Sequence, residues 1–284
     1  MIAQSKWQNL KRWVQKAEPN ERILGLGYVR CVSAQQIRDL QSQHNFLVII
    51  VQGTKWVSSS CSDIAVKAGQ GIVFPAHVNF TITNTPKDGA FYALVLFFTP
   101  EQISSVQQQY GKILQQSQAK KQTFMPFTVD ETVLSAVLHL LDAYQSGLAP
   151  ALLDHRYTEI LLSLLLSGHG NSLFQLPQSK WSDKVSQLFS LDPAFDWSVA
   201  NVSARLNLSE TTLSRRLKEE QTSFRQLLVD ARLGHGLHLL QSGIEKRPIA
   251  FVSELCGYQS ASTFSAKFKQ RFGMLPSELQ KTVI

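Results

Sequence analysis

The sequence predicts an α+β chain of two domains, a strand-rich N-terminal part followed by an all-α C-terminal part. Three observations carry this. Residues 23–98 fall into short runs rich in β-branched and aromatic residues, separated by turn chemistry. Beyond Pro100 the apolar residues recur at helical spacing. A segment of about twenty residues near the C-terminus occurs twice. A length of 284 residues suits two domains, and a hydrophobic fraction of 44% lets both bury a core.

The expected strands are Leu24–Val32, Phe46–Val51, Trp56–Ser60, Ile64–Lys67, Gly71–Phe74, Val78–Thr83 and Phe91–Phe98. Gln52-Gly53, Ala68-Gly69-Gln70-Gly71 and Thr85-Pro86-Lys87-Asp88-Gly89 separate them as turns. Strands this short and this evenly spaced argue for a small antiparallel barrel or sandwich. Ahead of them, Lys6, Lys11, Arg12 and Lys16 surround Trp7, Leu10 and Trp13, which reads as a short amphipathic helix or a flexible arm. There is no signal-peptide apolar core in it.

Two amphipathic helices should follow. Val133, Val137, Leu140, Leu141 and Tyr144 form one apolar face, and Leu152, Leu153, Tyr157, Ile160, Leu161, Leu164 and Leu165 form another after a break at 147–150. The second is apolar over a wider arc than one packing face needs. Either two copies pair as a homodimer through 131–167, or the surplus is buried against the barrel. The run from Gly168 to Ser172 then interrupts the pattern. Domains are therefore expected at 1–170 and 181–284, with a linker at 171–180.

The chain carries 28 Lys and Arg against 21 Asp and Glu, a net charge of +7. The 14 basic and 10 acidic residues after position 179 make the shorter C-terminal part the more positively dense, which suits a polyanionic partner. The apolar stretch 160–166 falls far short of the roughly 20 residues a membrane span needs. Cys31, Cys61 and Cys256 form no CxxC pair, so reduced thiols in a cytoplasmic protein are expected.

The repeat is the most informative feature. Ala200, Val202 and Ser203 correspond to Ala250, Val252 and Ser253; after one extra turn residue, Leu213, Ser214, Leu217 and Lys218 correspond to Phe264, Ser265, Phe268 and Lys269. Each copy reads as a short helix, a tight turn and a second helix opened by a serine N-cap, Ser209 or Ser260, which is the helix-turn-helix plan. The second helices turn Leu213 and Leu217, or Phe264 and Phe268, inward. Their other faces carry Thr211, Thr212, Ser214, Arg215 and Lys218 in the first copy, and Ser262, Thr263, Ser265, Lys267 and Lys269 in the second. Short hydroxyls with cations near a helix start suit entry into a DNA groove, touching base edges and phosphates. Two helical hairpins with solvated outer faces are the structural alternative. Between the copies, Phe224 to Gln241 reads as one helix of roughly 25 Å at 1.5 Å per residue. It could set two recognition helices about one DNA turn, roughly 34 Å, apart. Gly234 and Gly236 interrupt it, so either the helix bends there or a close packing contact requires the missing side chain.

The C-terminal segment resembles the AraC/XylS family of bacterial transcription regulators over its full DNA-binding domain. The resemblance is carried by Gly257-Tyr258-Gln259-Ser260, Thr263-Phe264-Ser265, Phe268-Lys269, Arg271-Phe272-Gly273 and Pro276-Ser277, and in the first copy by Trp197-Ser198-Val199, Leu208-Ser209, Thr212-Leu213 and Arg215-Arg216. Phe224 and Arg232 match the family's connector. The resemblance implies a sequence-specific regulator of double-stranded DNA, an activator with RNA polymerase as a further candidate partner. It places base reading at Thr211, Ser214 and Arg215, then at Ser262, Ser265 and Ala266. Ala266 departs from the arginine the family often has there.

The same resemblance implies a cupin-like barrel for the N-terminal part. Its interior would be lined by Phe46, Val48, Ile50, Trp56, Phe74, Phe80, Tyr92 and Phe97, either as a filled core or as a pocket for an apolar or amphipathic small-molecule effector. A cupin enzyme would need clustered metal ligands, and the strand region offers only His44 and His77 with no HxH pair. There is no P-loop and no GxSxG elbow. No catalytic residue, metal or cofactor is expected. An adaptor whose helical repeats bind another protein is the remaining rival.

Overall fold

The computed structural model describes residues 2–16, 25–41, 44–59, 63–76, 78–116, 125–174, 180–242 and 246–283. His77, Cys61 and the strand ends expected at Leu24 and Ser60 lie outside the described residues. The chain divides into two compact units, one within Met1–Gln175 and one within Leu176–Val283.

The first unit opens with α1 (Ile2–Lys16), a helix rather than an arm. Its Leu10 and Val14 are fully buried, and its Lys6 ammonium donates to the Glu131 carboxylate at 2.8 Å and the Ser135 hydroxyl at 2.9 Å. The strands are β1 (Leu26–Cys31), β2 (Gln35–Gln41), β3 (Asn45–Gln52), β4 (Thr54–Ser58), β5 (Asp63–Lys67), β6 (Gln70–Phe74), β7 (Asn79–Thr85), β8 (Phe91–Phe98) and β9 (Pro126–Thr128). They form two antiparallel sheets, β1-β8-β3-β6-β9 and β2-β7-β4-β5. Phe80 of the smaller sheet meets Phe46 and Phe74 of the larger at 6.2 and 4.6 Å between ring centroids, so the sheets face one another. The expected cupin-like barrel is thus present in open form: β1 and β9 end one sheet, and β2 and β5 end the other.

The outer face of the larger sheet packs on helices. Leu47, Ile49, Leu94, Leu96 and Phe98 share a core with α1, with α3 (Glu131–Gln145) and with α4 (Pro150–Leu166). The wide apolar arc of α4 is largely used here, since Tyr157, Ile160, Leu161, Leu164 and Leu165 are all buried in that core, while Leu152 and Leu166 remain exposed.

Alternation along the strands corrects two of the expected interior residues. Phe46, Val48 and Ile50 pair across from Phe97, Val95 and Ala93, which sets the inward parity of β8 on odd numbers. Tyr92 is therefore on the helix side, packed half-buried against the helical core. In β4 the inward residues are Lys55 and Val57, and Trp56 faces outward with 47% exposure. An aromatic residue invites an inward placement, yet a shift of one residue reverses every side chain in a strand.

Candidate nucleic-acid interface

The second unit contains α5 (Trp181–Leu191), α6 (Val199–Arg205), α7 (Glu210–Glu219), α8 (Phe224–Ser242), α9 (Ile249–Leu255), α10 (Ala261–Phe272) and α11 (Pro276–Thr282). The two copies of the repeat, α6–α7 and α9–α10, are built alike down to single bonds. The Leu208 amide donates to the Ser203 carbonyl and the Tyr258 amide to the Ser253 carbonyl, both at 2.9 Å, closing the two turns. Asn207 (φ 53°) and Gly257 (φ 72°) supply the left-handed residue that each turn needs. Ser209 then accepts the Thr212 amide and Ser260 the Thr263 amide, both at 3.1 Å, capping α7 and α10.

One face of each capped helix is buried. Leu213 and Leu217 of α7 enter a core with Val185, Phe189, Trp197, Val202 and Leu227. In α10, Phe264, Phe268 and Phe272 form a ladder of rings with centroids 5.5 and 4.7 Å apart. The opposite face of α7 presents Thr211, Ser214, Arg215 and Lys218, all exposed, at i, i+3, i+4 and i+7. The equivalent stripe on α10 is Ser262, Ser265, Ala266 and Lys269, with Ser265 half-buried.

The other expected site residues sit at the margins of these stripes. The Thr212 and Thr263 hydroxyls are engaged by the cap serines at 2.7 and 3.0 Å. Lys267 is half-buried with its ammonium 5.9 Å from the centre of the Tyr258 ring. Gln270, not singled out from sequence, is exposed one turn beyond Ala266, and the i+4 spacing alone would have found it.

Electrostatics separate the cations on these helices. Arg215 donates to Glu219 at 2.9 Å, with both side chains mostly exposed, so the pair is weak and easily exchanged. Arg216 lies over the Trp181 ring at 4.1 Å, and Glu220 accepts the Trp181 and Ser182 amides at 2.7 and 2.8 Å. Arg271 pairs with Asp230 of α8 at 3.5 Å. Arg216 and Arg271 therefore brace the unit. The connector α8 runs unbroken through both glycines. A Cβ at Gly236 would lie 2.8 Å from the Phe264 ring and 3.1 Å from the Cys256 sulfur, whereas one at Gly234 would meet open space. The close contact, not a bend, explains Gly236.

Between the sheets of the first unit, Phe46 stacks on Phe74 at 4.6 Å and lies 5.4 Å from Phe97. Toward the other end of these strands stands a polar chain. Lys55, 3% exposed, donates to Asn84 Oδ1 at 2.5 Å, and Asn84 Nδ2 donates to Gln35 Oε1 at 3.2 Å. Burial lowers the Lys55 ammonium to about 7, a shift that the nearby Cys31 opposes. Burial likewise pushes the Cys31 thiol up to about 12.

Comparison with known proteins bears on both units. Residues 202–282 match the family model described as a helix-turn-helix domain, and residues 45–176 match that of the ExsA N-terminal regulatory domain. The chain is 35% identical over 102 residues to the HTH-type transcriptional regulator YdeO of Escherichia coli, covering 35% of this chain and 38% of YdeO. It is 31% identical over 136 residues to the transcriptional regulator SirC of Salmonella typhimurium, covering 46% and 45%. The chain thus spans about half or less of the length of the curated relatives it matches. In fold it is similar to ToxT from Vibrio cholerae, with a TM-score of 0.61 at 15% identity, over 90% of this chain and 98% of that one. A ToxT structure bound to unsaturated fatty acid gives a TM-score of 0.63 at 16% identity, over 93% and 98%. Residues 202–282 thus match a helix-turn-helix domain and residues 45–176 a regulatory domain, and both matches agree with the AraC/XylS resemblance of the sequence.

Proposed function

We propose that the protein is a sequence-specific, double-stranded DNA-binding transcription activator of the cytoplasm, with RNA polymerase as its partner at the promoter. The observation that carries this is the pair of matched stripes, Thr211–Ser214–Arg215–Lys218 and Ser262–Ser265–Ala266–Lys269, each opposite a buried face. Arg215 supplies the planar fork that suits a guanine edge, and Ala266 offers only a methyl group at the matching place, so the first unit carries more of the sequence reading, while the second fixes its half-site through fewer base contacts and holds more backbone. In vitro selection from a random duplex library tests this. Enrichment of a motif bound in gel shifts against scrambled competitor is expected, and recovery of no motif would remove the reading.

We further propose that the first unit takes an amphipathic acid as effector. The aromatic cluster Phe46–Phe74–Phe80–Phe97 and the buried Lys55 amine near the opposite strand ends suit an apolar chain and a carboxylate. The fatty acid carried by ToxT supports the same class. An unsaturated fatty acid should raise the melting temperature where its alcohol does not; equal effects, or none, would overturn this. Association of two copies through 131–167 has one supporting observation, the exposure of Leu152 and Leu166 on α4. Sedimentation that stays monomeric across concentration would remove it.

A further inference from the structure

The two helix-turn-helix units are held on opposite halves of α8. Leu227, near its start, belongs to the first core, and Gly236, one helical stretch later, is pressed against Phe264 of the second. A shared rod fixes the distance between two attachments but not the rotation of one about the rod relative to the other. That angle needs a contact that reaches both units.

Arg232 lies between those two attachments and makes such a contact. Its Nε donates to the Pro193 carbonyl at 2.9 Å, and one terminal nitrogen donates to the Phe195 carbonyl at 3.2 Å, so the fork grips the turn that leads into α6. The same guanidinium lies 5.9 Å from the ring centre of Tyr258, in the turn of the second unit. A Cβ at Gly257 would stand 2.9 Å from an Arg232 nitrogen and 2.9 Å from the Ala194 Cα, so the two turns meet with Arg232 wedged against both. Beside that contact opens a cleft of about 520 Å³ lined in part by Asp196, Glu254 and Gln259.

We propose that Arg232 is a positioning residue that sets the rotation of one recognition helix relative to the other, and through it the half-site spacing that the protein accepts on DNA. The inference rests on the DNA-binding reading above. A planar fork with fixed donor directions can hold an angle; a lysine ammonium, a single rotatable point, cannot hold two carbonyls in the same way.

The test uses the full chain and the duplex enriched from the random library, remade with one base pair inserted or deleted between its half-sites, and as a single half-site. The wild type should lose about tenfold or more in affinity at either altered spacing. Arg232→Met and Arg232→Lys should bind the single half-site within about twofold of wild type, while their spacing penalty falls below about threefold. Circular dichroism melting reports whether each variant folds. A spacing penalty unchanged in both folded variants would overturn the proposal. So would loss of folding in both, which would make Arg232 a residue that holds the fold rather than the spacing. Failure to enrich any duplex would instead strike the DNA-binding reading itself, and this inference with it.

Discussion

At the scale of single residues, the two stripes give opposite expectations for their cations. Arg215→Ala should relax preference at one base pair, by about 1–3 kcal/mol of discrimination, with little loss on other sequences. Lys269→Ala should weaken every sequence alike and lower the slope of log affinity against log salt by about 1. Gel shifts on a panel of single-base variants at several salt concentrations check both, and an intact preference after Arg215→Ala would sink the division of labour. Lys55 carries a pH expectation. Its folded-state value, about 7, is below the 10.5 of an unfolded chain, so between these values the unfolded state binds more protons and stability rises with pH. Above about 9 the Cys31 thiol works in the other direction, because its folded value is raised. The first unit should therefore gain about 1–3 kcal/mol from pH 7 to 9, and Lys55→Met should flatten that rise in thermal melts.

At the scale of elements, the caps and the connector make separable predictions. Ser209→Ala and Ser260→Ala should each cost about 0.5–2 kcal/mol in denaturant unfolding, since each leaves a helix-start amide without its acceptor. Gly236→Ala should cost about 1–3 kcal/mol by pressing on Phe264, while Gly234→Ala should gain up to about 1 kcal/mol by helix propensity. Equal effects at the two glycines would mean that the contact with Phe264 does not matter. The elements differ in how plainly the sequence announces them. Strands such as Phe46–Val51 and Phe91–Phe98 were legible because apolar side chains cover both of their faces. β2 was not, because Gln35-Gln36-Ile37-Arg38-Asp39 carries one apolar residue, and the inward Gln35 is buried as part of a polar chain. α2 (Pro100–Gln116) was missed for a similar reason, its glutamines and serines masking the buried Ile103 and Val106. The exposed stripes of α7 and α10 were legible as faces because a serine cap fixes where each helix starts, so the count along it cannot slip. The partners of Arg216 and Glu220 lie at the start of α5 and those of Arg232 in distant turns, and no local pattern announces them.

At the scale of the whole molecule, the balance of charge governs how the protein meets DNA. The net +7 favours encounter with any duplex, so selectivity depends on what the stripes add to that background. If four to six phosphates are neutralised, log affinity should fall against log salt with a slope of about −4 to −5. A slope near zero in a titration from low to moderate salt would contradict a backbone-gripping second unit. Charge-assisted binding of this kind also means that affinities compared at different salt concentrations say little about sequence.

The carboxylate of Glu220 has a practical consequence for anyone who wishes to cut the chain. It holds the amides of Trp181 and Ser182, and Arg216 rests on the Trp181 ring, so the first residues of α5 are part of the support of α7. A fragment begun at Asp183 would strip both amides and the ring from the end of α7. A fragment begun at Lys180 would keep them. Two recombinant pieces that differ by three residues at a boundary should therefore behave as different proteins, the longer folding cooperatively and the shorter loosening first around α7.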